Sequence, residues 1–184
     1  ERPYSILINS VRVFPQAYAA VVSESSKVVH TLRVFVIDIG GYTTDVLLLR
    51  NGKPDLQYCR SLETGIITMH NEIVRKVNAF KDLQIEDEHT TPVLRGKKPI
   101  LPADVQETIR AETQKHAKRI LDELRELQVD LRSNPAIFIG GGSILLRPFL
   151  ESSSLVAKAE FISSPNANAL GYEMLAQAAL RSDR

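Results

Sequence analysis

Residues 33–52 read RVFVIDIGGYTTDVLLLRNG, two apolar runs separated by a turn that contains two adjacent glycines. The first run, Leu32–Ile37, is apolar apart from Arg33 and uninterrupted from Val34 onward, which is typical of a strand that is buried on both faces. The second run, Val46–Leu49, leads to Asn51-Gly52, the strongest two-residue signal for a β-hairpin. Because a third strand is expected near Leu56–Arg60, this part of the chain predicts three strands in a meander.

Strands and helices also alternate outside this meander. Upstream, Ser5–Phe14 favours a strand that Pro15 ends, and Gln16–Ser23 favours a short helix. The order predicts an α/β fold, a mixed sheet with flanking helices. Its downstream elements are a helix at Gly65–Leu83, an irregular segment at 84–102, a long helix at Asp104–Leu131, a strand at Ala136–Ile139, a short helix that follows Gly140–Ser143 and runs to Leu150, a strand near Ala159–Ile162 and a helix at Ala167–Leu180.

Two local signals refine this pattern. The segment 84–102 carries opposed charges and three prolines, and we expect it to be a solvated insertion. Asp104, with Glu107 three residues later, has the spacing of a capping box at the start of the long helix.

Composition places the chain among ordinary globular proteins. It has 184 residues, 23 Lys+Arg against 22 Asp+Glu, 43% apolar residues and one cysteine, Cys59. The near-zero net charge gives no reason to expect direct binding to nucleic acid, and a lone cysteine excludes an internal disulfide and cysteine-rich metal sites. No apolar run approaches the ~18 residues of a spanning helix, and the start does not resemble a signal peptide. We therefore expect a cytoplasmic protein without membrane association. Because the chain opens at Glu1 rather than Met, we also expect a longer native protein.

Two glycine-rich turns directly follow buried strands, at Asp38–Asp45 and Ile139–Ser143. Glycines let backbone N–H groups converge on an anion, and the second turn leads into a helix N-terminus, which favours phosphate. Ligands of open α/β sheets bind at the carboxyl ends of strands, so one nucleotide can span both turns. Taken singly, each turn is more simply a tight hairpin or a packing device, and it is their combination that points to binding.

The first turn differs from a Walker loop because it lacks Gly-Lys-Ser/Thr and runs into a strand. An acidic residue at its start suits a different role. Asp38 would hold Mg²⁺ through water or polarise an attacking water, while Gly40, Gly41 and Thr43 would present donors to the phosphates.

The two turns together resemble the phosphate-2 and adenosine motifs of the actin, sugar kinase and heat-shock chaperone ATPase superfamily, whose domains are ribonuclease H-like. The run Val11–Val22 resembles the strand and interdomain helix of ParM-type (StbA-type) bacterial actins. Ser61–Gly65 and Asn166–Tyr172 are similar to the second connecting segment and the closing helix. The resemblance implies that 1–30 are the end of a first domain with the interdomain helix. It implies a second actin-like domain at 31–184, with the insertion at 84–102.

The resemblance also implies roles for individual residues. Gln16 would orient the attacking water without abstracting its proton, and Asp38 would be the acidic residue of the phosphate-2 motif that holds Mg²⁺ through water. Asp45 either shares in this chemistry or simply caps the turn. The residues expected to contact ATP are Gly40, Gly41, Tyr42, Thr43, Gly65, Gly141, Gly142 and Ser143. No phosphate-1 hairpin precedes Asp38, so we expect the 184 residues alone to be inactive.

The implied function is that of the second domain of a filament-forming ATPase in plasmid segregation, which uses ATP and Mg²⁺. Its expected partners are further copies of itself and a DNA-binding adaptor protein, without direct contact to nucleic acid. One alternative is a sugar or acetate kinase-like enzyme or a chaperone-type ATPase. A kinase needs an acidic base where this chain has Gln16. Another alternative is a non-catalytic actin-like scaffold, against which Asp38 and both turns argue.

The four histidines show no ligand spacing and are expected to be exposed or locally bonded: His30, His70, His89 and His116.

Overall fold

The computed structural model describes residues 4–8, 10–23, 32–81, 83–97, 99–164 and 166–182. Within these residues, five strands form one mixed sheet with helices on both faces, in the order α1 (Gln16–Val22), β1 (Arg33–Ile39), β2 (Thr44–Arg50), β3 (Lys53–Leu62), α2 (Ile66–Lys81), α3 (Asp87–Leu94), α4 (Ala103–Glu126), β4 (Ala136–Ile139), α5 (Gly140–Glu151), β5 (Ala159–Phe161) and α6 (Ala167–Ser182). The sheet order is β3-β2-β1-β4-β5. The first three strands are antiparallel neighbours, whereas β4 runs parallel to β1 and β5 parallel to β4. The predicted α/β fold and its meander are confirmed.

The central strand β1 is buried on both faces, as its uninterrupted apolar run predicts. Successive side chains of a strand point to opposite faces. Phe35 and Ile37 accordingly belong to the larger core beneath α2, α4 and α5, and Val34 and Val36 to a smaller core beneath α1 and α6. Burial of each large apolar side chain contributes roughly 1.5–3 kcal/mol, so the layers on both sides hold β1 in place.

The helices α1 and α6 cross with their backbones in contact. A Cβ atom at Gly171 of α6 would lie 1.6 Å from the carbonyl oxygen of Ala19 in α1. Ala17, Ala20 and Val21 of α1 are buried, which confirms the apolar face expected for this helix.

The long helix is shorter at its end than the sequence predicts. It stops at Glu126 rather than Leu131, because Gln128 has a left-handed backbone with φ 61° and the chain turns back to bond Val129 N to the Leu124 carbonyl. Its start also differs. Pro102 occupies the N-cap position, without a side-chain cap bond, and the helix begins one residue before Asp104.

The segment 84–102 contains a helix and buried side chains, so the prediction that it is irregular and solvated throughout is wrong. It contains α3, whose start is a capping box in which the Glu86 N–H donates to His89 Nδ1 at 3.0 Å. Thr90 and Val93 are buried, and so is Ile85 just before the helix. The segment thus forms a small helix that packs against α2 and α4. The charge pattern alone does not predict this helix, because its buried residues are spaced among charged ones.

The expected strand at Ser5–Phe14 is absent from the described part of that range, residues 5–8 and 10–14. Ile6, Leu7, Ile8, Val11 and Val13 are all more than 70% exposed. An alternating apolar run becomes a strand only where a second strand supplies the hydrogen-bonding ladder, and here no described strand lies beside it. Among the described residues no helix is both long and apolar enough to cross a membrane.

Candidate functional site

The first glycine turn closes the hairpin between β1 and β2. Asp38 of β1 pairs with Asp45 of β2, and the Gly40 N–H donates to the Thr43 carbonyl at 2.9 Å. The Thr43 hydroxyl donates to Asp45 Oδ2 at 3.0 Å. Asp45 therefore stabilises the turn from within, while Tyr42 at its tip is exposed.

Three consecutive carbonyl groups of this turn, those of residues 40–42, point toward the start of α2. The oxygens of Gly40, Gly41 and Tyr42 accept hydrogen bonds from the N–H groups of Ile66, Ile67 and Gly65, at 3.0, 2.8 and 2.9 Å. In a trans peptide the N–H is directed opposite to the preceding carbonyl. The amides of residues 41–43 therefore point away from α2, and within the described residues they have no hydrogen-bond acceptor. Consecutive amides on one side of a turn can bind an anion.

The second glycine turn lies beside the first because β1 and β4 are parallel neighbours, with Asp38 paired to Ile139. The helix α5 begins at Gly140 itself rather than after the glycines. Gly140 has φ +85°, and a Cβ there would lie 2.5 Å from Asp38 Oδ1, so this position requires glycine on both counts.

The remaining residues of the second turn differ in accessibility. Gly141 is exposed with open space around it, whereas a Cβ at Gly142 would collide with Ile66 and Ile39. Ser143 is buried, and its hydroxyl donates to the Gly140 carbonyl at 2.8 Å. The structure thus places Gly141 at the surface of the site, while Gly142 and Ser143 lie beneath it.

Asp38 lies at the junction of both turns and is only 4% exposed. Gln16, at the start of α1, donates from Nε2 to Asp38 Oδ2 at 3.1 Å. The pKa of Asp38 is raised, mainly because burial disfavours the charged carboxylate and secondarily because Asp45 is close. Hydrogen bonding by Asn168 and Gln16 acts in the opposite direction and lowers the pKa. The structure therefore unites two predicted site residues, Gln16 and Asp38, that are 22 positions apart in the chain.

A cleft of about 370 Å³ opens between the N-terminal ends of α5 and α6. Gly140, Gly141, Asn168 and Arg95 are among its lining residues. Larger openings near the end of α4 and after α2 contain neither glycine turn, whereas this cleft is lined by the start of the second turn and lies next to Asp38 through Gly140 and Asn168. Sequence analysis missed Arg95 and Asn168. Asn168 lies in the closing-helix motif, but only the fold brings Arg95 here from the end of α3.

The donor set suits a magnesium ion held largely through water. Asp38 supplies a buried carboxylate, and Asn168 Oδ1 is a buried oxygen without a hydrogen-bond partner. Oxygen ligands are those that Mg²⁺ prefers, and with nucleotides it usually keeps several waters. Among the described residues no group of three or more His, Cys, Asp or Glu side chains is placed to hold a metal directly.

Known structures share this fold. An archaeal actin homolog, Ta0583, superimposes with a TM-score of 0.70 at 23% identity, over 90% of this chain and 55% of that one. A 15-stranded ParM filament from Clostridium botulinum gives 0.74 at 19% identity, over 96% and 56%. ParM from Bacillus thuringiensis with ATP gives 0.58 at 12% identity, over 81% and 47%. The chain thus spans about half the length of these structures.

The sequence itself also has a family match. No curated protein is similar enough to the chain to count as a match. The family model described as archaeal actin homologue MreB-like, C-terminal, matches residues 36–152, which is more than half of the chain. This range contains both glycine turns and the whole of the larger core's helical layer, α2 to α5. The chain therefore belongs to the family of archaeal, MreB-like actin homologues and represents its C-terminal domain.

Proposed function

We propose that this actin-like domain is the second, nucleotide-binding half of an ATPase that binds Mg-ATP between two domains. The observation that carries the proposal is the pair of glycine turns that lie side by side around Asp38, with Gln16 bonded to its carboxylate. Structural neighbours support it, since they include the archaeal actin homolog in complex with ADP and a ParM with ATP.

The two turns would share the nucleotide between them. The outward amides of Gly41, Tyr42 and Thr43 bind the terminal phosphates, while the N-terminus of α5 at Gly141 faces the α-phosphate and ribose. Gly65 acts indirectly, because it lets α2 approach the first turn closely enough to fix its carbonyls. Arg95, on the wall of the cleft, adds positive charge beside the phosphates.

Hydrolysis would depend on positioning and charge rather than on covalent catalysis. Gln16 orients the attacking water, and Asp38 accepts a hydrogen bond from water at the edge of the phosphate site. Mg²⁺, when bound, neutralises charge on the phosphate oxygens, and Asp38 with Asn168 would hold it through water.

The same reasoning supports a two-domain parent. Residues 1–30 would be the end of a first domain with the interdomain helix, and 31–184 the second domain, although residues 24–31 lie outside the described part. The exposed apolar run at Ile6–Ile8 and Val11–Val13 fits a strand whose sheet belongs to that first domain.

We further propose that the parent assembles into filaments and segregates plasmids through a DNA-binding adaptor. One neighbour is a ParM filament and another is a non-polymerisable ParM mutant, which supports self-association. The net charge of +1 favours an adaptor over direct contact with DNA.

Light scattering of the complete protein that carries this chain, recorded with phosphate release after addition of Mg-ATP, tests the proposal. We expect scattering to rise with ATP and fall as phosphate is released, and Asp38→Ala to abolish release while the protein remains folded. Phosphate release without scattering would point to a chaperone-type ATPase, and transfer to a sugar or acetate would point to a kinase. Absence of any nucleotide response would favour the scaffold. Unchanged phosphate release by Asp38→Ala would contradict the assignment of the first turn.

A further inference from the structure

A buried histidine of α4 bonds to the segment that joins β3 to α2, and this segment in turn bonds to the first glycine turn. His116, in the middle of α4, is 3% exposed. Its Nδ1 lies 2.8 Å from Arg119 Nη2, and its Nε2 lies 3.2 Å from the Thr64 carbonyl oxygen.

These contacts determine which ring nitrogen carries the proton. A guanidinium can only donate, so Nδ1 must accept from Arg119 and the neutral ring carries its hydrogen on Nε2. That hydrogen is donated to the Thr64 carbonyl. Arg119 is held in turn by Glu72 of α2, at 3.0 Å. His116 is therefore a neutral donor with a fixed orientation.

The Thr64 carbonyl is a junction between α4 and the first turn. It also accepts the hydroxyl of Thr44, the first residue of β2, at 3.1 Å. The next residue, Gly65, donates to the Tyr42 carbonyl, and it packs so closely that a Cβ would lie 2.2 Å from the Gly41 oxygen. Hence a shift of Thr64 displaces the carbonyls of the turn, and the outward amides move with them.

We propose that His116 is a positioning residue for the first glycine turn, acting through the Thr64 carbonyl to hold the amides of residues 41–43 in their anion-binding arrangement. This inference rests on the proposed nucleotide-binding function, and it gives α4, which has no residue in the cleft, control over the affinity of the site.

Two substitutions separate the bonds of His116. In His116→Gln the amide nitrogen reaches the place of Nε2 and keeps the donor to Thr64. In His116→Asn the side chain is too short to do so. A buried histidine that does not touch Thr64 provides the matched control: His70 of α2 bonds to Thr90 of α3, so His70→Asn perturbs the same helical layer without reaching the turn.

The test measures ADP affinity by calorimetry and amide hydrogen exchange at Gly65, Ile66 and Ile67, in the complete protein that carries this chain. Loss of one buried hydrogen bond is expected to weaken ADP binding about tenfold in His116→Asn, while His116→Gln stays near the wild type. Of the two His116 variants, only His116→Asn should show faster exchange at the three amides. Thr44→Val removes the second hydrogen bond to the Thr64 carbonyl, so it should also weaken ADP binding and accelerate exchange. It replaces His116→Asn in the test if that variant does not fold.

Several results would overturn the inference. Equal affinities for the Gln and Asn variants, or an equal loss in His70→Asn, would mean that His116 only stabilises the fold. Because the exchange measurement needs no nucleotide, it tests the positioning role of His116 separately from the proposed nucleotide binding. A wild type that binds no ADP contradicts the proposed function, whereas unchanged exchange in both His116→Asn and Thr44→Val contradicts the positioning role.

Discussion

Gly65 and Gly41 are in backbone contact, and the site of a Cβ at position 65 lies only 2.2 Å from the Gly41 carbonyl oxygen. Neither residue supplies a side-chain functional group, yet the close contact lets α2 bond to the carbonyls of residues 40–42, which orients the amides of residues 41–43. The nucleotide site proposed here therefore depends on the absence of a side chain as much as on Asp38.

Replacement of Gly65 by alanine should damage both stability and binding. The methyl group meets backbone rather than a flexible side chain, so the turn or α2 must shift, and we expect a loss of about 2–3 kcal/mol in unfolding free energy. Urea unfolding and ADP titration measure the two effects. Gly141→Ala is the matched control for stability, because its added methyl enters open space, and an equal loss there would contradict the argument.

Asp38→Asn should stabilise the fold while it abolishes hydrolysis. The pKa of Asp38 is higher in the folded state than the value near 3.8 of the unfolded chain. The wild-type fold is therefore least destabilised by Asp38 below pH 3.8, and it loses stability as the pH rises through the folded-state pKa and the buried carboxyl ionises. The neutral amide avoids this cost. Thermal unfolding at pH 7 should show a higher Tm for the variant, and the difference should shrink toward pH 4. A lower Tm at pH 7 would show that the charged carboxylate is stabilising instead.

Gln16→Ala should slow hydrolysis without a comparable loss of nucleotide affinity. If the amide orients the water, its removal costs about 2.7 kcal/mol of activation free energy, or ~10²-fold in rate, and filaments should persist longer. Single-turnover phosphate release and ADP titration separate the two effects. Gln177→Ala, on the exposed face of α6, is the control and should leave both unchanged. Should rate and filament lifetime match the wild type, Gln16 would be only the first residue of α1.

The stability of the domain should fall as the pH drops from about 6.5 toward 4. Burial, followed by the nearby charge of Arg119, lowers the pKa of His116 to about 4. As the pH falls below about 6.5, the histidine of the unfolded chain becomes protonated while the folded chain keeps His116 neutral. This difference lowers the free energy of unfolding by up to about 3 kcal/mol at pH 4. The lowered pKa of His70, also due mainly to burial, acts in the same direction.

Urea unfolding of the wild type and His116→Gln between pH 4 and 7 isolates the part that His116 contributes. The variant should lose less stability on acidification, since glutamine does not titrate. Parallel curves for the two proteins would show that other groups dominate.

The sequence predicted the strands of the meander and the position of both glycine turns because those signals are local. An uninterrupted apolar run identifies β1, and Asn51-Gly52 identifies the hairpin that follows β2. The small helix α3 was missed because its two buried positions, Thr90 and Val93, are dispersed among charges and a proline. The described part of Ser5–Phe14 forms no strand in this structure, because apolar alternation in the sequence does not show whether a pairing strand is present.

The site was only partly predictable for a related reason. Asp38 and the glycines could be found because each belongs to a short motif. Arg95 lines the cleft and His116 bonds to the Thr64 carbonyl only because the fold brings distant segments together, and nothing in their immediate sequence distinguishes them from other charged or buried residues. Likewise Ser143, expected to contact ATP, has its hydroxyl bonded to the helix backbone, which only three-dimensional geometry reveals.

The crossing of α1 and α6 determines how substitutions around Asp38 combine. Gln16 and Asn168 reach the same carboxyl from these two helices, whose separation is set by the contact of Gly171 with Ala19. Residues that share a partner and a backbone constraint do not contribute independently to free energy. The double variant at Gln16 and Asn168 should therefore differ from the sum of the single variants, and Gly171→Ala, outside the proposed nucleotide site, should reproduce much of the double variant's effect.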